Sequence, residues 1–125
     1  MIKFQSIYIY GDASKEFLDF CNEFKVSITE NIEGAKFVVN FSEKFMEDKS
    51  FLRSVVGRAL VSVDLGLDGM EFDIKNDTGY AILFDRAKKT SAIVGLTQAA
   101  EVYKFPFDYR TLVNNLASEI EENII

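Results

Sequence analysis

The sequence predicts an α+β domain: a mixed sheet of about five to six strands, covered by about three helices. Three observations point there. The first half runs strand, helix, strand, helix, the order of a parallel βαβ crossover. The second half reads as short apolar runs separated by turn signals, the pattern of an antiparallel meander. The chain has 125 residues and one proline, with no repeat or Gly/Ser-rich linker, so residues 1–125 are read as a single domain.

The elements follow in order. Ile2 to Tyr10 is a strand of alternating β-branched and aromatic residues, ended by Gly11-Asp12. Asp12 or Ser14 caps a helix from about Ala13 to Phe24, with Phe17, Leu18, Cys21 and Phe24 on its apolar stripe. Val26 to Thr29 is a short strand, and Asn31 to Gly34 a turn. Ala35 to Phe41 is the second clear strand. Ser42 opens a helix to about Arg58, interrupted at Asp48-Lys49-Ser50, with Phe45, Leu52, Val55, Val56 and Ala59 facing inward. Leu60 to Leu65 and Met70 to Ile74 are strand candidates, followed by the turn Asn76-Asp77-Thr78-Gly79. Tyr80 to Phe84 and Ser91 to Leu96 form a hairpin across Asp85 to Thr90, which puts Arg86, Lys88 and Lys89 on a solvated turn. Ala99 to Phe105 fits a strand or a short helix. Asp108 caps a last helix, Tyr109 to about Glu122, with Leu112, Val113, Leu116 and Ile120 on one face.

Composition removes whole classes of chemistry. There is no histidine and a single cysteine, so no Ser-His-Asp or Cys-His site and no zinc site of the usual kind can be built within the chain. Cys21 has no partner for an internal disulfide, and its place on the helical stripe predicts a buried thiol. Twelve Phe and five Tyr supply a large core without Trp. No apolar run nears the roughly 20 residues of a membrane span, and the first residues lack the continuous apolar region of a signal peptide. The expected location is the cytoplasm. A formal net charge of −6 is the opposite of the basic stripe that nucleic acid requires, so no nucleic-acid and no membrane partner is expected.

The carboxylates remain. Neither G-x-G-x-x-G nor G-x-x-x-x-G-K-[ST] occurs. Asp64 to Gly69 superficially resembles a calcium loop, but Gly66 and Lys75 stand where ligands three and twelve would be, so no metal and no cofactor is expected. Between residues 59 and 79, five carboxylates (Asp64, Asp68, Glu71, Asp73 and Asp77) face Lys75 alone. Glu119, Glu121 and Glu122 add a second acidic stretch. These eight residues are the expected partner-binding surface. The expected function is a small acidic protein-binding module and not an enzyme: an immunity or antagonist protein that occludes the active site of a basic partner such as a nuclease toxin. The alternative is a small α/β ligand-binding or carboxylate-based enzymatic domain using Asp12 with Asp64 or Asp85.

Overall fold

The computed structural model describes residues 4–124. Among them, four strands form one sheet: β1 (Ile7–Tyr10), β2 (Phe37–Asn40), β3 (Ala59–Val63) and β4 (Ile82–Phe84). They lie in the order β1-β2-β3-β4, and every pairing is parallel, with Ile7 opposite Phe37, Phe37 opposite Ala59 and Val61 opposite Ile82. Four α-helices surround them: α1 (Lys15–Glu23), α2 (Lys49–Val55), α3 (Ser91–Tyr103) and α4 (Pro106–Glu119). The fold is therefore α/β. The expected mixed sheet with an antiparallel meander and three helices is wrong.

Three local findings explain the correction. Ser91 to Leu96 is not a strand, and the hairpin does not exist. The segment is the first half of α3, whose buried Ala92, Gly95, Leu96, Ala99 and Ala100 recur at helical spacing. Met70 to Ile74 is not a strand either. It makes isolated bridges only, Glu71 to Ala81 and Asp73 to Thr78, and Asp73 closes a turn there. The central strands β2 and β3 are buried at every position, which is how parallel strands covered on both faces read. Elsewhere the boundaries shift modestly. The first strand is seen over Ile7–Tyr10, and positions 2 and 3 of the expected run lie outside the described residues. The Ser42 to Arg58 helix divides, as its interruption suggested, into a 3-10 turn at Phe45–Glu47 and α2, which Asp48 caps by accepting from the Phe51 N–H at 3.0 Å. The last helix starts earlier, with Pro106 in its first turn.

Val26 to Thr29 contributes one parallel bridge, Ile28 with Ile7, on the free edge of β1. The Ile7 N–H donates to the Ser27 carbonyl and the Thr29 N–H to the Ile7 carbonyl, each at 2.9 Å. Counting that segment as a second strand in chain order, the sheet reads 2-1-3-4-5, a doubly wound order. One layer of core lies between the sheet (Ile7, Phe37, Val39, Val61, Phe84) and α1, α3 and the start of α4. The other lies between Val38 and Leu60 and α2, with Met70, Tyr80 and Ala81 from the β3–β4 connection. Outward steps on one side of β1 pass over the first face and steps on the other side over the second, so the crossovers keep one hand. α4 joins the two layers, since Leu112 packs in the first and Leu116 and Ile120 in the second. Each fully buried Phe or Leu contributes about 1.5–3 kcal/mol over leaving it exposed. This sandwich is what holds the strand ends in place.

Candidate functional site

A doubly wound sheet places its loops after the carboxyl ends of the strands, and its switch point lies where neighbouring strands leave in opposite directions. Here that point is between β1 and β2. Gly11 follows β1 with φ +86°. A Cβ there would stand 3.0 Å from the Ser42 backbone nitrogen and 3.2 Å from the Phe41 carbonyl carbon, so the bare glycine lets the two loops touch. Ser14 Oγ then accepts from the Phe17 N–H at 3.2 Å and starts α1.

Below the second loop lie Asn40 and Ser62, both fully buried. Asn40 Oδ1 accepts from the Ser42 N–H at 2.9 Å, and Asn40 Nδ2 donates to the Ser42 carbonyl at 2.9 Å and to Ser62 Oγ at 3.0 Å. The Ser62 hydroxyl donates to the Val63 carbonyl at 3.0 Å. Every polar atom of the pair has a partner, so hydrogen bonds offset the cost of burying them and the network pins the ends of β2 and β3. The loop after β4 is equally built: the Asp85 N–H donates to Ser91 Oγ at 2.8 Å, and Asp85 Oδ1 accepts from the Ala87 N–H at 2.9 Å.

These loops enclose a cleft of about 160 Å³ lined by Asp12, Ser14, Phe41, Phe84, Asp85, Arg86, Lys88, Lys89 and Ala92. A wider, open depression adjoins it, lined by Glu43, Asp64, Gly66, Asp85, Arg86 and Ala87. Asp85 and Arg86 belong to both. Arg86 Nη1 pairs with Glu43 Oε1 at 2.9 Å, linking the loops after β4 and β2, and Lys89 Nζ lies 3.9 Å from Glu16 Oε1. Both pairs are solvent-exposed and exchange readily. The site thus combines carboxylates that accept from hydroxyls with cations that attract anions.

The structure places the residues of the alternative sequence reading along one edge. Asp12 and Asp85 line the same cleft, and Asp64 shares the adjoining depression with Asp85. Sequence reasoning missed the place of Arg86, Lys88 and Lys89 in this cleft. They are in the β4–α3 loop at this edge and not on a hairpin turn. The signal that would have found them was the helical period at Ala92, Leu96 and Ala99, which makes Asp85 to Thr90 a strand-to-helix loop.

The eight expected docking carboxylates do not form one face. Asp64 sits at the carboxyl edge, where its Oδ1 accepts from the Gly66 N–H at 2.8 Å, and Asp68 follows in the exposed loop. Glu71 lines a groove of about 430 Å³ with Phe72, Leu83 and Glu101 beside β4. That groove is larger than the cleft, yet no Lys or Arg is among its lining residues, and Glu101 is paired with Lys104 at 3.3 Å. Asp73 is spent on a turn. It accepts from the Lys75 N–H at 3.0 Å and the Asn76 side chain at 2.7 Å, and the Asn76 bond foremost holds its carboxyl below the usual range. Asp77, however, is brought to α4: Asn115 Nδ2 donates to the carbonyls of Asp77 and Gly79, at 3.1 and 2.9 Å. Glu119 is close enough to Tyr80 to act on its hydroxyl, and Glu121 and Glu122 are exposed on the π turn Ile120–Ile124.

Cys21 is buried in the first core layer, and loss of water pushes its thiol up to about 11. Among the described residues no three acidic or cysteine side chains gather as a metal centre would need. Among the described residues, too, no helix is long and apolar enough to cross a membrane. Comparison with protein-family models, with curated proteins and with solved structures gives no match to this chain.

Proposed function

We propose that the protein is a small-ligand-binding α/β domain whose site is the carboxyl-edge cleft. One observation carries the reading. Asp12 and Asp85, from opposite ends of the sheet and distant parts of the sequence, line one cleft together with Arg86, Lys88 and Lys89. The cleft lies where doubly wound sheets hold their ligands. Its volume suits a ligand smaller than the drug-sized molecules that fill pockets of roughly 300–1,000 Å³. The role is binding and not turnover. In support, the chain has no histidine, and its single thiol is buried and held protonated. A cytoplasmic location fits a lone thiol that needs no oxidising compartment. The test is a screen of small polar metabolites by protein-observed NMR. Perturbations should cluster on residues 11–14, 41–43 and 85–89, and Asp12→Asn/Asp85→Asn should abolish them. Hits confined to other surfaces would defeat the reading.

A second reading keeps the acidic segments as a docking surface for a basic protein, such as a nuclease toxin blocked by occlusion. The clasp of Asn115 on Asp77 and Gly79 favours it, because it ties the Asp77 turn to the last turns of α4, which ends at Glu119 and runs on into the π turn of Glu121 and Glu122. Its test is affinity capture from the native host with wild type and Glu121→Lys/Glu122→Lys. A basic partner retained at low salt, and lost with the charge reversal, supports it. Identical capture by both proteins removes it.

A further inference from the structure

We infer that the carboxyl-edge site takes a phosphorylated sugar, its phosphate on the loop after β4 and its hydroxyls on Asp12 and Asp85; this rests on the ligand-binding reading above. The two halves of that ligand match two kinds of group in one small space. Arg86, Lys88 and Lys89 are three cations within four residues, and all three line the cleft. Cations so placed favour a compact dianion over a neutral molecule. Asp12 and Asp85 line the same cleft, and ionised carboxylates only accept hydrogen bonds. They repel a bare anion but receive sugar hydroxyls. A ligand that is only anionic leaves these acceptors unused, and one that is only hydroxylated leaves the cations unused.

The carboxylates already facing the cations act as placeholders for the phosphate. Glu43 holds Arg86 at 2.9 Å and Glu16 approaches Lys89 at 3.9 Å. The side chains of the first pair keep 64% and 63% of their accessible surface and those of the second 80% and 39%, so both pairs open without breaking into the core. When a phosphate enters, Arg86 and Lys89 exchange one carboxylate each for its oxygens. The framework stays rigid meanwhile, because Ser91 and the Asp85 turn hold the loop and the Asn40–Ser62 network holds the opposite wall. No bond is made or broken in the ligand.

The experiment is a set of NMR titrations of the ¹⁵N-labelled full chain with four probes: ribose 5-phosphate, inorganic phosphate, ribose and 1,4-diaminobutane. Ribose 5-phosphate should saturate, moving amides of residues 12–14 and 85–89 together. Inorganic phosphate should bind more weakly and move residues 85–89 alone, and ribose should be weaker still. Lys88→Gln/Lys89→Gln should weaken ribose 5-phosphate at least about tenfold, the scale of one lost charge-assisted contact. The spectrum outside the loop should stay unchanged, which separates lost binding from lost folding. If ribose or the diamine moves the edge while ribose 5-phosphate does not, the ligand class is wrong and the site stands. If none of the four moves the edge, and the metabolite screen also leaves it still, both readings fall. Equal affinity of wild type and the double variant for ribose 5-phosphate would overturn the assigned phosphate position.

Discussion

The Tyr10 hydroxyl donates to Asp48 Oδ2 at 2.6 Å, tying the end of β1 to the cap of α2. The bond acts on both groups. It holds the Asp48 carboxyl below its ordinary 3.8, helped by the Phe51 N–H. It also pushes the Tyr10 hydroxyl up to about 12, with burial adding to it. A depressed carboxyl stabilises the fold above its unfolded value, and that contribution fades as pH falls through the folded one. A raised hydroxyl stabilises the fold below its unfolded value of 10.0, and the contribution fades as pH rises through about 12. Tyr10→Phe keeps the stacking on Phe51 at 3.9 Å and removes the hydroxyl. The melting temperature of wild type should therefore exceed that of Tyr10→Phe by a constant margin between about pH 5 and pH 9, and the margin should shrink as pH falls below or rises above that window. A margin unchanged down to pH 2 would show that the bond is not carried by the ionised carboxylate. Cys21 is the second case at this scale. Its burial predicts thiol labelling that waits for unfolding, so labelling of the native protein as fast as in urea would contradict the packing. The sequence named Asp12 as a candidate because it ends the first strand, with Asp64 or Asp85 as the second carboxylate. It could not group them, because a carboxylate's neighbours across a sheet depend on strand order, which no local pattern encodes.

Helix α3 shows how an element was misread. Ile93 and Val94 favour strands, Gly95 favours a turn, and Ala92-Ile93-Val94 allows alternation. The helical period becomes visible only when the window runs from Ala92 to Tyr103. Tertiary packing then decides, since α3 lies on β3 and β4 with Gly95 against Val61 and Phe84. A Cβ on Gly95 would come within 2.9 Å of Val61 Cγ1. Gly95→Ala gains up to about 1 kcal/mol of helix propensity but overpacks the interface by about 1–3 kcal/mol. The net effect expected in urea denaturation is a loss of about 1 kcal/mol. A stabilised variant would mean that α3 sits farther from the sheet. Gly79 is a harsher test: φ is +84°, and a Cβ would run into the Glu71 carbonyl. Gly79→Ala should cost more than about 1 kcal/mol, through backbone that cannot yield. The first-half elements were legible because their apolar periods are unmixed, with Phe17 and Cys21 on α1 and Phe37 to Val39 in β2.

At the scale of the whole molecule, a net charge of −6 suggested one acidic surface, and folding distributes it instead. Some carboxylates cap turns, as Asp73 does, some flank a groove, and some line a cleft with cations. This yields a contrast within one short segment. Glu71→Lys should leave the melting temperature unchanged. Asp73→Lys should lower it, because the Lys75 and Asn76 bonds go with it. Equal effects would mean that the turn does not depend on its carboxylate. The parallel sheet brings the ends of β1, β2, β3 and β4 to one edge, where carboxylates and cations line one cleft. The most direct measurement is a crystal structure of the protein grown with saturating ribose 5-phosphate. The sugar should lie between Asp12 and Asp85 and the phosphate against Arg86, Lys88 and Lys89, with the Glu43–Arg86 and Glu16–Lys89 pairs opened. A well-ordered cleft without ligand, and Glu43 still on Arg86, would contradict that placement.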